Sequence, residues 1–163
     1  NFFFFFKDNR VGDYFITGAS NNYDNDRYQV YRFDGSASLT KIYGGPLSMT
    51  IASIHEQVYF MSDQKIFTYC NEEFILWKDL SSTGLRIGPL WGRSTKDLFA
   101  NTTGDLKTYS IGHYNGTDFK VLYSLPPFFR ISSMMVFENE IFVPGYSTRS
   151  NTSIVVQGEL STQ

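Results

Sequence analysis

Apolar residues in this chain alternate with polar ones over short runs and never settle into a three-and-four spacing. The alternation is plainest at Tyr28-Gln29-Val30-Tyr31-Arg32-Phe33. A period of two marks a strand with one face buried, whereas an amphipathic helix needs a period near 3.6. Comparable runs are Asp13 to Gly18, Leu39 to Tyr43, Ser48 to Ile54, Gln57 to Met61, Lys65 to Cys70 and Glu73 to Trp77. Later ones are Arg130 to Phe137, Glu140 to Val143 and Ser153 to Val156. The clearest unit is Trp91 to Tyr123. It reads as a Trp91-Gly92 turn, a run at Asp97-Leu98-Phe99-Ala100, a second ending His113-Tyr114-Asn115-Gly116, and a third from Phe119 to Tyr123. Each group of runs describes a small antiparallel sheet.

These groups recur. Aligning Tyr14, Tyr59, Leu98 and Ile141 gives spacings of 45, 39 and 43 residues. Repeats of roughly 40–50 residues with about four short strands each are the signature of β-propeller blades. The predicted fold is therefore all-β, a propeller of four-stranded antiparallel blades, with blades near 1–44, 45–80, 81–125 and 126–163. Five consecutive phenylalanines, Phe2 to Phe6, cannot alternate, so this run is predicted to be a strand covered on both faces. The fourth group lacks a fourth strand. Either Phe2 to Phe6 completes it from the opposite terminus, or the chain belongs to a larger ring of six to eight blades; the second is preferred. An uncovered edge is not expected, because it would template aggregation.

The third unit resembles the bacterial propeller repeat written roughly W-G-S-S-x-x-D-[VL]-[FW]-A…[HR]-Y-[DN]-G-x-x-[WF]. The matching residues are Trp91, Gly92, Ser94, Asp97, Leu98, Phe99, Ala100, His113, Tyr114, Asn115, Gly116 and Phe119. Phe33-Asp34-Gly35 repeats the aromatic-Asp-Gly element, and Tyr69-Cys70-Asn71-Glu72 stands in its place without the glycine. The resemblance implies a fold and not an activity, since propellers host many functions. In physical terms, Asn115-Gly116 and Asp34-Gly35 supply the positive backbone angles of a tight hairpin turn. The flanking aromatics can pair across strands, and Trp91 can wedge between blades.

Composition narrows the function. Phe and Tyr number 16 and 11, which suits pleated, half-buried surfaces. Lys and Arg total 14 against 16 Asp and Glu, with no basic block, so a nucleic-acid surface has no support. Cys70 is the only cysteine, which rules out an internal disulfide and a cysteine-based metal site. No apolar run approaches the roughly 20 residues of a membrane-spanning helix. The chain opens at Asn1 rather than Met, which points to processing or to a piece of something longer.

Candidate chemistry is sparse. His55 reads as a solvated turn residue and His113 as blade packing. Asp24-Asn25-Asp26 lacks the glycine and distal glutamate of an EF-hand loop. Glu72-Glu73, Glu138 and Glu140 read as surface charge beside turns, and nothing selects a carboxylate pair of the glycosidase kind. No nucleophile elbow, phosphate loop or dinucleotide fingerprint is present. No catalytic residue, cofactor or metal is assigned. Asn101, Asn115 and Asn151 each begin an N-x-[ST] triplet. The expected function is a non-catalytic binding or assembly module of the cell envelope or extracellular space. Its partner would be a protein, the rest of a larger propeller, or a glycan. Its contact loops would carry Tyr23, Asp24, Asp26, Tyr146 and Arg149, because loops on rigid scaffolds carry recognition. Two alternatives stand beside it: a fragment of a carbohydrate-active enzyme or lectin, and a cytoplasmic scaffold of WD-repeat kind. The latter is weakened because Gly112-His113 has no Trp-Asp partner.

Overall fold

The computed structural model describes residues 4–7, 12–20, 26–36, 38–104 and 108–159. Its strands fall into four antiparallel sheets. The first comprises β1 (Phe4–Lys7), β2 (Tyr14–Ala19), β3 (Tyr28–Phe33) and β4 (Thr40–Gly45). The second comprises β5 (Thr50–Ile54), β6 (Gln57–Ser62), β7 (Lys65–Cys70) and β8 (Glu73–Asp79). The third comprises β9 (Arg86–Ser94), β10 (Asp97–Thr103), β11 (Tyr109–Tyr114) and β12 (Phe119–Ser124). The fourth comprises β13 (Phe129–Ile131), β14 (Met135–Val136), β15 (Glu140–Ser147) and β16 (Ser153–Glu159). Among the described residues the only helical turn is a 3₁₀ turn at Ser81–Thr83, and no helix is long and apolar enough to cross a membrane.

The first three sheets are simple meanders with each strand beside its sequence neighbours, and they share an irregularity. The pairing of third and fourth strands shifts register between Val30 and Tyr31, between Ile66 and Phe67, and between Ile111 and Gly112. In each case one residue of the fourth strand is left out of the pairing: Ile42, Trp77 or Leu122. An extra residue on one strand increases local twist and bends the sheet. The fourth sheet differs. β13 and β14 are two pieces of one strand along the same edge of β15, so the sheet is three strands wide. The interruption faces Pro144, which has no N–H to give. Ser132 turns its own N–H (3.0 Å) and hydroxyl (2.9 Å) onto the Pro144 carbonyl instead.

The chain divides into two compact units, residues 1–89 and 90–163. In the first, Phe15 and Val30 pack with Met49, Ile51, Val58 and Phe60, so the facing sides of the first two sheets share one core. Its rings meet edge to face, Phe15–Phe60 at 5.2 Å and Phe60–Phe74 at 5.0 Å, the arrangement that ring quadrupoles favour. In the second unit Phe99 and Ile111 pack with Leu125, Ile131, Met134, Ile141 and Val143, joining the third and fourth sheets.

Several local expectations are corrected. Trp91 and Gly92 lie inside β9 rather than at a turn. Trp91 packs on the core of the second unit, and Gly92 is there for close approach, since a Cβ would stand 2.5 Å from the Asp97 carbonyl. Asn115-Gly116 opens a four-residue loop and not a two-residue turn. Only Gly116 has a positive φ (94°), while the Asn115 side chain accepts the N–H groups of Thr117 (3.0 Å) and Asp118 (2.8 Å). Asp34-Gly35 likewise opens a six-residue connection, with Gly35 at φ 87° and Asp34 accepting from Ser36. The two-residue turns with both residues at positive φ are His55-Glu56 and Asn71-Glu72. β4 runs past the end of the predicted Leu39–Tyr43 run to include Gly44 and Gly45. β1 pairs with β2 through Phe4↔Thr17 to Lys7↔Tyr14, so Phe4 to Phe6 belong to the first sheet and not to the fourth. Phe2, Phe3 and the side chains of Phe4 to Phe6 lie outside the described residues. Among the described residues no strand pairing closes the sheets into a ring.

Candidate functional site

Three groupings bring polar side chains together. The first is built on Asp97, which opens β10, and His113, near the end of β11. The register places these strands side by side. His113 Nε2 lies 2.7 Å from Asp97 Oδ1, and Arg93 of β9 donates to Oδ2. Arg93 also donates to the carbonyls of Phe137 and Glu138 in the β14–β15 turn, tying the third sheet to the fourth within one unit. Burial acts to raise the Asp97 pKa, but the bonds from Arg93 and His113 outweigh it and hold the carboxyl below its ordinary value. The His113 ring stacks on Phe99 at 4.5 Å. Tyr114 donates its hydroxyl to the Gly116 carbonyl at 2.6 Å. The motif residues Trp91, Gly92, Asp97, Tyr114, Asn115 and Gly116 are thus held by packing, close approach and internal hydrogen bonds.

The same pair recurs in the first unit. Asp13 is buried and accepts from Arg32 Nε at 2.8 Å. Asp13 precedes Tyr14 as Asp97 precedes Leu98, and Arg32-Phe33-Asp34-Gly35 stands where His113-Tyr114-Asn115-Gly116 stands. The aspartate is therefore a repeated anchor for the basic residue of the facing strand. Arg32 extends beyond it to Tyr69, whose phenol burial pushes above its ordinary pKa against the lowering effect of Arg32.

The second grouping is a cleft of about 210 Å³ in the second unit, lined by Phe99, His113, Leu122, Glu140, Ile141, Gly158 and Glu159. Glu140 and Glu159 face each other across the β15–β16 pairing. Gln157 donates to Glu140 at 3.2 Å. Among the described residues no three His, Cys, Asp or Glu side chains converge as a metal site.

The third grouping is the end of the β15–β16 hairpin, where Tyr146 and Arg149 are both exposed. The Ser147 hydroxyl accepts the N–H groups of Arg149 (3.2 Å) and Ser150 (3.1 Å), and Ser147 N–H donates to Thr152 (2.9 Å). The Arg149 guanidinium lies 3.4 Å from the centre of the Phe128 ring. Of the other proposed contact residues, Tyr23 and Asp24 lie outside the described residues. Asp26 is taken up by its own sheet, accepting from Gln29 (3.0 Å) and Lys41 (2.9 Å), and the Lys41 bond holds its carboxyl below the ordinary value. Of the three asparagine triplets, Asn101 sits within β10 with its carbonyl oxygen buried, Asn115 caps its own loop, and Asn151 is on an exposed loop.

No protein-family model matches the chain, and no curated protein matches it.

Sequence reasoning missed Phe128, Arg130 and Glu159 and left Glu140 as surface charge. The Asp13 anchor was within reach, because the alignment of Tyr14 with Leu98 already set Asp13 beneath Asp97. The Glu140–Glu159 pair had no such signal: it exists only through the register of β15 on β16.

Proposed function

We propose that this chain is a non-catalytic binding or assembly module built from propeller-type blades and acting outside the cytoplasm. Its contact surface is the β15–β16 hairpin. The observation that carries this reading is that Tyr146 and Arg149 stand exposed on a hairpin whose backbone is fixed by Ser147, while Asp97, Asp13 and His113 are committed to internal bonds. A rigid loop presenting a tyrosine and an arginine suits recognition, because both residue types contribute disproportionately to interface energy. Three sheets with one shared bulge support the blade repeat. Peptide and glycan arrays probed with the wild-type chain and with a Tyr146→Ala, Arg149→Gln double variant test it. A bound feature weakened roughly tenfold or more in the variant is expected; binding unaffected by the double substitution refutes the assignment.

A second reading, a carbohydrate-active site, is favoured by the cleft. Glu140 and Glu159 are directly opposed in an antiparallel pair and both line the cleft, so two carboxylates flank one space as a glycosidase pair must. Turnover on a panel of aryl glycosides and polysaccharides, abolished by Glu140→Gln and by Glu159→Gln, would establish it. Absence of turnover, or turnover indifferent to both substitutions, removes it.

A further inference from the structure

Two arginines at this end of the second unit meet no carboxylate among the described residues, Arg130 of β13 and Arg149 of the hairpin loop. Each is instead laid over an aromatic ring: Arg149 on Phe128 at 3.4 Å, and Arg130 on Tyr109 at 5.7 Å. A cation–π contact uses none of the guanidinium N–H donors, so each arginine keeps the fork that receives a carboxylate through two parallel hydrogen bonds. Arg130 is paired in register with Tyr146, so an exposed ring stands beside its charge.

Phe128 adds a second, independent feature. It is about half exposed, and its φ of +69° is a backbone state that bulky residues avoid. That state belongs to the third position of the turn Pro126-Pro127-Phe128-Phe129, closed by the Phe129 N–H on the Pro126 carbonyl (3.2 Å), while Thr148 donates its N–H (2.7 Å) and hydroxyl (3.0 Å) to the Phe128 carbonyl. The turn holds an apolar ring about half exposed with the Arg149 cation laid over it.

Resting on the binding-surface reading above, we propose that Phe128, Arg130, Tyr146 and Arg149 form a docking surface for an acidic, extended polypeptide segment carrying carboxylates on either side of an apolar or aromatic residue. Charge complementarity selects the acid: two forks lacking acidic partners are spaced by exposed rings. All four residues are exposed on two paired segments, so an extended segment can meet both guanidinium groups and lay its apolar residue against Phe128 and Tyr146.

The test uses the whole chain and fluorescent peptides of alternating glutamate and tyrosine, with alternating lysine and tyrosine, alternating serine and tyrosine, and a polygalacturonate oligomer as comparisons. Saturable binding of the glutamate peptide is expected, weakened roughly five- to tenfold by Arg149→Gln and by Arg130→Gln, and weakened further as salt rises from about 0.05 M to about 0.5 M. Arg86→Gln, an exposed substitution in the other unit, leaves it unchanged. Phe128→Ala is read only if its melting curve matches wild type; the two arginine variants carry the test otherwise. No preference for the glutamate peptide over the lysine peptide, or binding indifferent to both arginine variants, overturns the proposal. So does binding of the oligogalacturonate alone, which would make this an acidic-glycan surface. Binding of the serine or lysine peptide that is lost in Tyr146→Ala overturns the acidic partner and leaves the binding-surface reading standing. An array on which nothing responds to these substitutions overturns both.

Discussion

Asp97→Ala is the sharpest probe of what holds the second unit together. The carboxylate takes one hydrogen bond from Arg93 and one of 2.7 Å from His113, with all three side chains about one-fifth exposed. A hydrogen bond to a charged group contributes roughly 1.5–3 kcal/mol, and partial exposure discounts it. Arg93 keeps the carbonyls of Phe137 and Glu138 when Asp97 is removed, so the loss falls mainly on His113 and its stacking on Phe99. The expected cost is about 2–3 kcal/mol at neutral pH. Urea unfolding followed by Trp91 fluorescence in a Trp77→Phe background measures it, because Trp91 packs on the core of this unit. The midpoint should fall with an unchanged slope. pH supplies the second readout. The folded-state pKa of Asp97 is depressed, so its contribution is fully present above the unfolded value, near 3.9, and is lost as pH falls from there through the lower folded value. The gap between wild type and variant should therefore narrow below about pH 4. A cost under about 0.5 kcal/mol, or a gap that does not change on acidification, would refute the anchoring role.

Glu72→Gly should stabilise the chain by roughly 0.5–1 kcal/mol in chemical denaturation, since Glu72 (φ 65°) bears a left-handed conformation that glycine adopts without penalty. Gly92→Ala should destabilise by about 1–3 kcal/mol in the same assay, because the new methyl meets the Asp97 backbone carbonyl, which cannot move aside as a side chain would. Phe60→Ala should cost about 3–5 kcal/mol, emptying the centre of a ring cluster in which Phe60 is fully buried; thermal melting that finds less than 1 kcal/mol would displace it from the core.

Much of the strand content was legible because alternation is a local property. β3 and β7 span the residues that alternation picks out, and β6 and β8 differ from the reading only at their ends. The turns were read less well. Asn115-Gly116 and Asp34-Gly35 have the dipeptides of a two-residue turn, yet side-chain capping by Asn115 and Asp34 stabilises longer loops. Conversely, Asn71-Glu72 makes the tight turn without a glycine, because the flanking pairs of β7 and β8 hold it. The break of the Arg130–Phe137 run into β13 and β14 was hidden because its cause, Pro144, lies on another strand.

The sequence by itself determined that this chain is all-β, arranged in recurring groups of short antiparallel strands, the best-kept of which runs from Trp91 to Tyr123. Those properties follow from residue type and near-neighbour spacing. Tertiary structure decided which strands pair, where the shared bulge falls, that Phe4 to Phe6 join the first sheet, and that Arg93 and His113 converge on Asp97. It also decided that Phe128 and Arg149 stack, some twenty residues apart in the chain. Each of these depends on contacts between residues distant in sequence, whose register is set by burial of whole faces and leaves no local mark on the residues that meet.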